Sequence, residues 1–174
     1  MLESSKFNFL VDQHKSRIFN YALYMLRNRM DAEDITQEVM IRTWQNINNF
    51  NFNAARSWIM RTTHNLCIDY LRKNQLSFQR EIPIDNENNN YLEDKSNEGN
   101  PAIVANKKMI GTKIKSAIEK LPEKLKSPFV LYELEGFKYR EISKILDVPL
   151  NTVKVNLLRA RKHLQKELKV YKHD

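Results

Sequence analysis

The segment YREISKILDVPLNTVKVNLLRARKHL (139–164) decides the fold. Within it, Arg140 to Leu146 places Ile142, Ile145 and Leu146 at helical spacing. Asp147-Val148-Pro149 ends that helix, because proline disfavours helical backbone at the residue before it. Asn151 is the expected cap of a second helix, whose inward residues Val153, Leu157, Ala160 and Leu164 recur at steps of four, three and four. Two helices joined by so short a turn make a helix-turn-helix. The outward residues of the second helix are Thr152, Lys154, Val155, Asn156, Leu158, Arg159 and Lys162. They offer donors to phosphates and base edges, with an apolar contact or two. A helix of this size fits the major groove with its N-terminal half nearest the bases. Some helical hairpins bind only protein; the basic outer face favours DNA.

Immediately upstream, Ile110, Ile114, Ala117, Ile118 and Leu121 form one stripe of a helix that starts near Ala102. Pro122 suits the first turn of the next helix, Glu123 to Leu134, and Gly136 is its expected C-cap. Further upstream the composition changes. Residues 74–105 hold seven Asn, including Asn88-Asn89-Asn90, together with Pro83, Gly99 and Pro101. So acidic and apolar-poor a stretch cannot bury enough to offset its ordering entropy, and it reads as a flexible linker rather than an ordered loop.

The first 73 residues return to helical periodicity. Phe9, Ile18, Phe19, Ala22, Leu23, Met25 and Leu26 predict one helix over 6–28. Asp31 is the expected cap of a second, which runs to about Asn46 with Ile35, Val39, Met40, Trp44 and Ile47 inward. An Asn-rich loop, 48–53, precedes a third helix, Ala54 to Lys73. Its apolar line is Trp58, Ile59, Thr62, Leu66 and Tyr70; opposite lie Arg61, His64, Asn65, Ile68, Arg72 and Lys73. Phe50 and Phe52 stand in the loop before it. Aromatics beside cations suit the stacking of unpaired bases, although residues such as Trp44 and Trp58 are more often core, and Phe50 and Phe52 fit either role. On the second helix Asp34, Gln37, Glu38, Ile41 and Gln45 share a face. An acidic, partly apolar strip repels DNA, so it belongs to a protein partner or to solvent.

Composition narrows the function classes. With 3 Gly and 5 Pro in 174 residues, an all-β fold and the Gly-rich phosphate loops of Rossmann or P-loop enzymes are disfavoured. The single Cys excludes a disulfide framework and a Cys-based zinc site. His14, His64, His163 and His173 are scattered, and His64 with Cys67 is too few ligands for a metal. No nucleophile–base pair is visible, so no enzyme, cofactor or small-molecule substrate is expected. No apolar run approaches the roughly 18 to 20 residues of a membrane span, and Met1 to Leu10 shows no signal pattern. The expectation is a soluble, reduced, cytoplasmic protein without membrane insertion. The net charge of +8 divides as +3 over residues 1–73, −4 over 74–105 and +9 over 106–174. Cationic charge gathered at one end fits a phosphate-backbone partner, a Lys-rich solvated surface being the plainer reading. The predicted fold is all-α: two small helical domains, 1–73 and 106–174, joined by the linker 74–105.

Three motifs in this order, DAEDITQEVMIRTW (31–44), ARSWIMRTTHNLCIDYLRK (55–73) and LPEKLKSPFVLYELEGFKYREISKILDVPLNTVKVNLLRARKHL (121–164), resemble an RNA polymerase sigma factor of the extracytoplasmic-function type, sigma-70 family. The resemblance implies that Asp34, Gln37, Glu38 and Ile41 dock on core RNA polymerase. It implies that Asn53, Arg56, Arg61, His64, Asn65, Arg72 and Lys73 open and read the promoter −10 element. The −35 element would be read by Thr152, Lys154, Val155, Asn156, Leu158 and Arg159, with Arg140 and Lys162 on phosphates. An anti-sigma factor covering these surfaces is the regulator the resemblance implies. Family members often carry small or basic residues where Val155 and Asn156 stand; Val155 could touch a thymine methyl and Asn156 pair with adenine, which hints at an A·T-containing −35 sequence.

Such a protein makes and breaks no bond. Flipping a base from the stack costs a few kcal/mol, and stacking it on aromatics returns about 1–3 kcal/mol per base. The two reading surfaces would sit one to two DNA turns apart, roughly 34–70 Å. A free 32-residue coil spans only about 30 Å, so the linker must be stretched and the isolated protein is expected to bind promoter DNA poorly. The rival reading is a helix-turn-helix regulator that acts without docking on polymerase.

Overall fold

The computed structural model describes residues 1–78 and 101–169. Within them every element is helical, as the sequence predicts. Helices α1 (Leu2–Leu26), α2 (Arg29–Gln45) and α3 (Phe52–Phe78) form a first bundle. Helices α4 (Pro101–Glu119), α5 (Glu123–Phe129), α6 (Tyr139–Leu146) and α7 (Leu150–Lys169) form a second. Helix occupies both ends of the stretch read as linker, 74–78 and 101–105; its centre, 79–100, lies outside the described residues.

Capping chemistry moves several boundaries. Arg27 closes α1 in the left-handed region (φ 57°), its N–H donating to the Leu23 carbonyl. The α2 cap is Asn28 rather than Asp31: the Asn28 Oδ1 accepts from the Asp31 N–H at 3.0 Å. Asn and Asp cap almost equally well, so backbone conformation decides, and Asn28 is the extended one. Likewise α7 begins at Leu150, with the Pro149 carbonyl, not Asn151, accepting from the Thr152 and Val153 N–H groups at 3.0 and 3.3 Å.

In the first bundle Leu10, Ile18, Tyr21, Ala22 and Met25 of α1 are buried with Ala32, Ile35 and Val39 of α2 and Ala55, Ile59, Met60 and Cys67 of α3. The inward line of α2 passes through Thr36 and Thr43 instead of Trp44. Each hydroxyl donates one turn back, to Ala32 and Val39 at 2.7 and 2.8 Å, so burying it leaves no unmet donor. Trp44 stays 44% exposed and meets Phe7 edge-on at 5.1 Å. The inward line of α3 is rotated from the expected one and runs through Ala55, Ile59, Met60, Thr63 and Cys67. Burial there pushes the Cys67 thiol up to about 12.

The second core gathers Ala117, Ile118, Leu121, Phe129, Val130, Leu131, Phe137, Ile142, Ile145, Val153, Leu157, Ala160 and Leu164. The predicted α4 stripe is buried only from Ala117 onward; Ile110 and Ile114 are exposed. Pro128 lies inside α5 without an N–H for the ladder, and the next turn, Val130–Leu134, widens to i→i+5 bonding. Gly136, at φ 71°, ends it as expected and lets the Phe137 N–H return to the Leu131 carbonyl at 2.9 Å.

The two bundles touch: α3 packs on α6, and α1 meets α4, α5 and the wide turn. Lys126 and Ser127 of α5 are buried in this packing. Burial, helped by Arg27, lowers the Lys126 ammonium to about 8 against the pull of Glu119 and Glu123. Tyr21 and His64 join through a 2.7 Å hydrogen bond between the phenol oxygen and Nδ1. Burial raises the Tyr21 pKa, so the phenol stays neutral, and burial lowers His64 to about 4.

Two measurements check this picture. Asn28→Ala should lower the urea stability by about 1 kcal/mol, whereas Asp31→Ala, which keeps the backbone donor, should cost clearly less; the reverse order would return the cap to Asp31. The second concerns pH. An unfolded histidine titrates near 6.5 and native His64 near 4, so between them the unfolded chain binds a proton that the native chain refuses. The His64 contribution is therefore complete above about pH 6.5 and declines as pH falls toward 4. Against His64→Gln, the wild type should lose up to about 3 kcal/mol more across that window; parallel melting curves down to pH 4 would contradict the burial.

Candidate nucleic-acid interface

The turn between α6 and α7 aims an exposed cationic face. Asp147 takes the left-handed conformation (φ 54°), and the Ser143 hydroxyl donates to the Val148 carbonyl at 2.6 Å. Together they fix the angle at which α7 leaves. At the start of α6 the Lys138 N–H donates to the Glu141 carboxylate at 2.8 Å. At the border of the free face of α7, Arg161 donates to Glu133 at 2.9 Å and lies 5.5 Å from the Tyr132 ring, which tilts against Tyr139 at 4.9 Å. This brace ties the flank of α7 to the wide turn. On that free face Lys154, Val155, Leu158, Arg159 and Lys162 are exposed, with Thr152 and Asn156 half-buried at its edge. Arg140 is exposed at the head of α6. All eight sequence-predicted residues of this group therefore reach the surface at least in part.

The α3 group divides. Arg61, Asn65 and Arg72, at steps of four and seven, stay exposed, as do Lys73 and, at the helix start, Asn53. The Asn51 side chain accepts from the Asn53 N–H at 3.1 Å, so the Asn-rich approach is a turn held by its own side chains. Arg56 and His64 are not free. Arg56 Nη2 donates to the Glu135 carbonyl at 3.0 Å, its guanidinium stands 4.0 Å from the Phe137 ring, and its Nε has no partner. His64, expected on the outer face, is turned toward Tyr21. Arg56 is drawn off because α3 also packs on the second bundle, whereas His64 turns inside the first, toward α1.

The loop aromatics divide as well. Phe50 and Trp58 meet edge-on at 4.8 Å and pack against the core, which answers the question left open for Trp58. Phe52 is exposed, 6.3 Å from Phe9 and 6.0 Å from the Lys6 ammonium. Phe9, read from sequence only as part of the first helix's apolar stripe, is exposed, and neither it nor Lys6 was read as a site residue, because only long-range packing of α1 beside the α3 start brings them there. On α2, Asp34, Gln37 and Ile41 are exposed, and half-buried Glu38 pairs with Arg42 at 2.8 Å. Exposed pairs of this kind add little to stability, so the strip remains available. Among the described residues no cluster of three or more His, Cys, Asp or Glu could hold a metal, and no helix is long and apolar enough to cross a membrane.

Known proteins carry the same two halves. A Sigma-70 region 2 model matches residues 10–76, and a Sigma-70, region 4 model matches residues 112–164. The chain is 31% identical over 170 residues to the ECF RNA polymerase sigma factor SigW of Bacillus subtilis, covering 96% of this chain and 91% of SigW. It is 31% identical over 156 residues to the ECF RNA polymerase sigma factor SigE of Mycolicibacterium smegmatis, covering 90% of this chain but 59% of SigE. The fold resembles the sigma factor RpoE solved in complex with the anti-sigma factor NepR from Bartonella quintana, with a TM-score of 0.71 at 19% identity, over 94% of this chain and 97% of RpoE. CnrH, solved with the cytosolic domain of CnrY, has a TM-score of 0.63 at 19% identity, over 94% of this chain and 88% of CnrH. With both regions in the expected order and a relative matched almost end to end, the chain belongs to the extracytoplasmic-function sigma factors of the sigma-70 family.

Proposed function

We propose that three separate surfaces divide the work of starting a transcript. As a sigma factor the chain is a transcription initiation factor that directs RNA polymerase to promoters; it is not an enzyme. The α2 strip of Asp34, Gln37, Glu38 and Ile41 grips core RNA polymerase. The α3 surface, with Asn53, Arg61, Asn65, Arg72 and Lys73 and with Arg56 and His64 once freed, melts and holds the −10 element. The α7 face, with Arg140 beside it, reads the −35 element. The domains follow the same division, 1–73 and 106–174 with 74–105 between, and the work is done in the cytoplasm, where the polymerase is. An anti-sigma factor is the proposed regulator; the two solved relatives above were each caught with a second protein.

The observation that carries this reading is the separation of charge by element. The acidic strip with a 52% exposed Ile41 lies on α2, while the exposed cations proposed to meet DNA lie on α3 and α7, with Arg140 on α6. An apolar side chain among carboxylates is poorly matched to DNA and well matched to a protein surface. On α7, exposed Val155 between Lys154 and half-buried Asn156 combines a methyl contact with an amide donor–acceptor pair.

In run-off transcription with core polymerase, the double variant Asp34→Lys/Glu38→Lys should lose at least about tenfold in transcript and fail to co-elute with the enzyme, while keeping its helical content. Full-strength initiation by that variant would remove the docking role from α2. On the DNA side, Asn156→Ala should weaken discrimination at one −35 position by about 1–3 kcal/mol, whereas Lys162→Ala should weaken all promoters alike and flatten the salt dependence. A uniform loss from Asn156→Ala would mean that it reads no base.

A further inference from the structure

Two exposed phenylalanines meet where the first helix passes the start of the third. Phe9 of α1 is 55% exposed and Phe52, at the head of α3, is 41% exposed. Their ring centroids are 6.3 Å apart with the planes tilted by 53°, and the Lys6 ammonium stands 6.0 Å from the centre of the Phe52 ring. A single apolar side chain on a surface needs no explanation. Here two rings touch each other beside a cation, while their neighbours Phe7, Phe50 and Trp58 pack on the core. Only the packing of α1 against α3 brings the pair together, so neither helix forms this patch alone.

The surroundings select the occupant. Asn53 follows Phe52 and begins the exposed strip that continues through Arg61, Asn65, Arg72 and Lys73. At 1.5 Å per residue that strip is about 30 Å long, and the ring pair stands at one end of it. Among the described residues Lys6 enters no ion pair. One turn to either side of Phe9 on α1 are uncharged Ser5 and Gln13; Glu3 and Asp12 fall about 60° round the helix from Lys6 and Phe9 respectively. Open ring faces beside an unpaired ammonium and an amide side chain match an unpaired base and its phosphate. A base inside a duplex has both faces covered by its neighbours in the stack, so the rings have nothing to hold until the strands separate. The α2 strip is the contrast, an apolar side chain among carboxylates, which suits protein.

We infer that α1 takes part in holding the opened promoter: Phe9 and Phe52 stack one unpaired base just beyond the stretch that α3 holds, and Lys6 takes its phosphate. The inference rests on the −10 role proposed above for α3. It extends that role to a helix outside all three motifs that carry the family resemblance, which begin at Asp31. Every base has a π-face, so the site accepts any base at its position. The amides of Asn53 and Asn65, by contrast, can discriminate base edges. The pair therefore adds grip on the separated strand without adding sequence preference.

The test uses the full chain with core polymerase. The probe is a promoter recovered by run-off transcription, mismatched over the −10 element and its flanks so that both strands are unpaired there. An abasic nucleotide replaces each unpaired base in turn, on either strand. For the wild type, one flanking position should cost about fivefold or more in affinity when abasic, yet less than about twofold when one base is exchanged for another. Phe9→Ala should lose the same factor on the intact probe and be indifferent to the abasic nucleotide at that position, because both remove one interaction. Phe9→Trp, which keeps a ring, should hold the wild-type affinity. Lys6→Gln should lower the slope of log affinity against log salt by about 0.7. On the fully paired promoter, kept closed in the cold, Phe9→Ala should match the wild type. Additive losses from Phe9→Ala and the abasic nucleotide overturn the stacking, as does an equal loss on paired and mismatched probes. Failure of Phe9→Ala to co-elute with core polymerase overturns it too, since the rings would then meet protein. An unchanged salt slope for Lys6→Gln overturns the phosphate contact. Arg61→Ala, run alongside, keeps the two readings apart. If it weakens the mismatched probe and Phe9→Ala does not, α3 keeps its role and the α1 site falls; if neither does, the −10 role falls and takes the α1 site with it.

Discussion

Helix α3 buries Ala55, Ile59, Met60 and Cys67 against the first bundle and meets α6 on another side. What remains for solvent is a strip through Arg61, Asn65 and Arg72. The rest of the molecule is arranged around that constraint. A helix pressed from two sides is positioned firmly, which a surface that must hold an unstacked strand requires. The same pressure removes Arg56 and His64 from solvent. Rigidity and accessibility are in conflict on this helix, and this packing favours rigidity.

The architecture was largely legible because helical periodicity and breakers act locally. Pro149, Gly136 and the inward line Val153–Leu157–Ala160–Leu164 are all found where expected. The outer face of α7 was legible for the same reason: a helix lying on the edge of a small domain exposes whatever its inward stripe leaves over. Caps were less legible. Asn28 and Asp31 have nearly the same intrinsic preference, and a left-handed Arg27 decides between them. The inward lines of α2 and α3 were misread by a rotation, because buried Thr36, Thr43 and Thr63 look polar in sequence yet satisfy their hydroxyls within their own helices. The fate of Arg56 was not legible at all. Its partner carbonyl is 79 residues away, and no local pattern encodes a contact made by docking one bundle on another.

Distribution of charge along the chain translates into distribution over elements. Had the carboxylates of α2 shared a face with the cations of α3, each would have neutralised the other and neither surface would have been selective. Placing them on different helices lets each field act on its own partner.

Cys67 lies at the centre of the first bundle, its thiol held protonated by burial. Oxidants and disulfide partners attack the thiolate, and a sulfur without that form and without a path to solvent is inert to both. It is the sole cysteine of the sequence. Thiol chemistry on this chain therefore cannot report the redox state of its surroundings, and an oxidative cue would have to be sensed by a different molecule and relayed by binding.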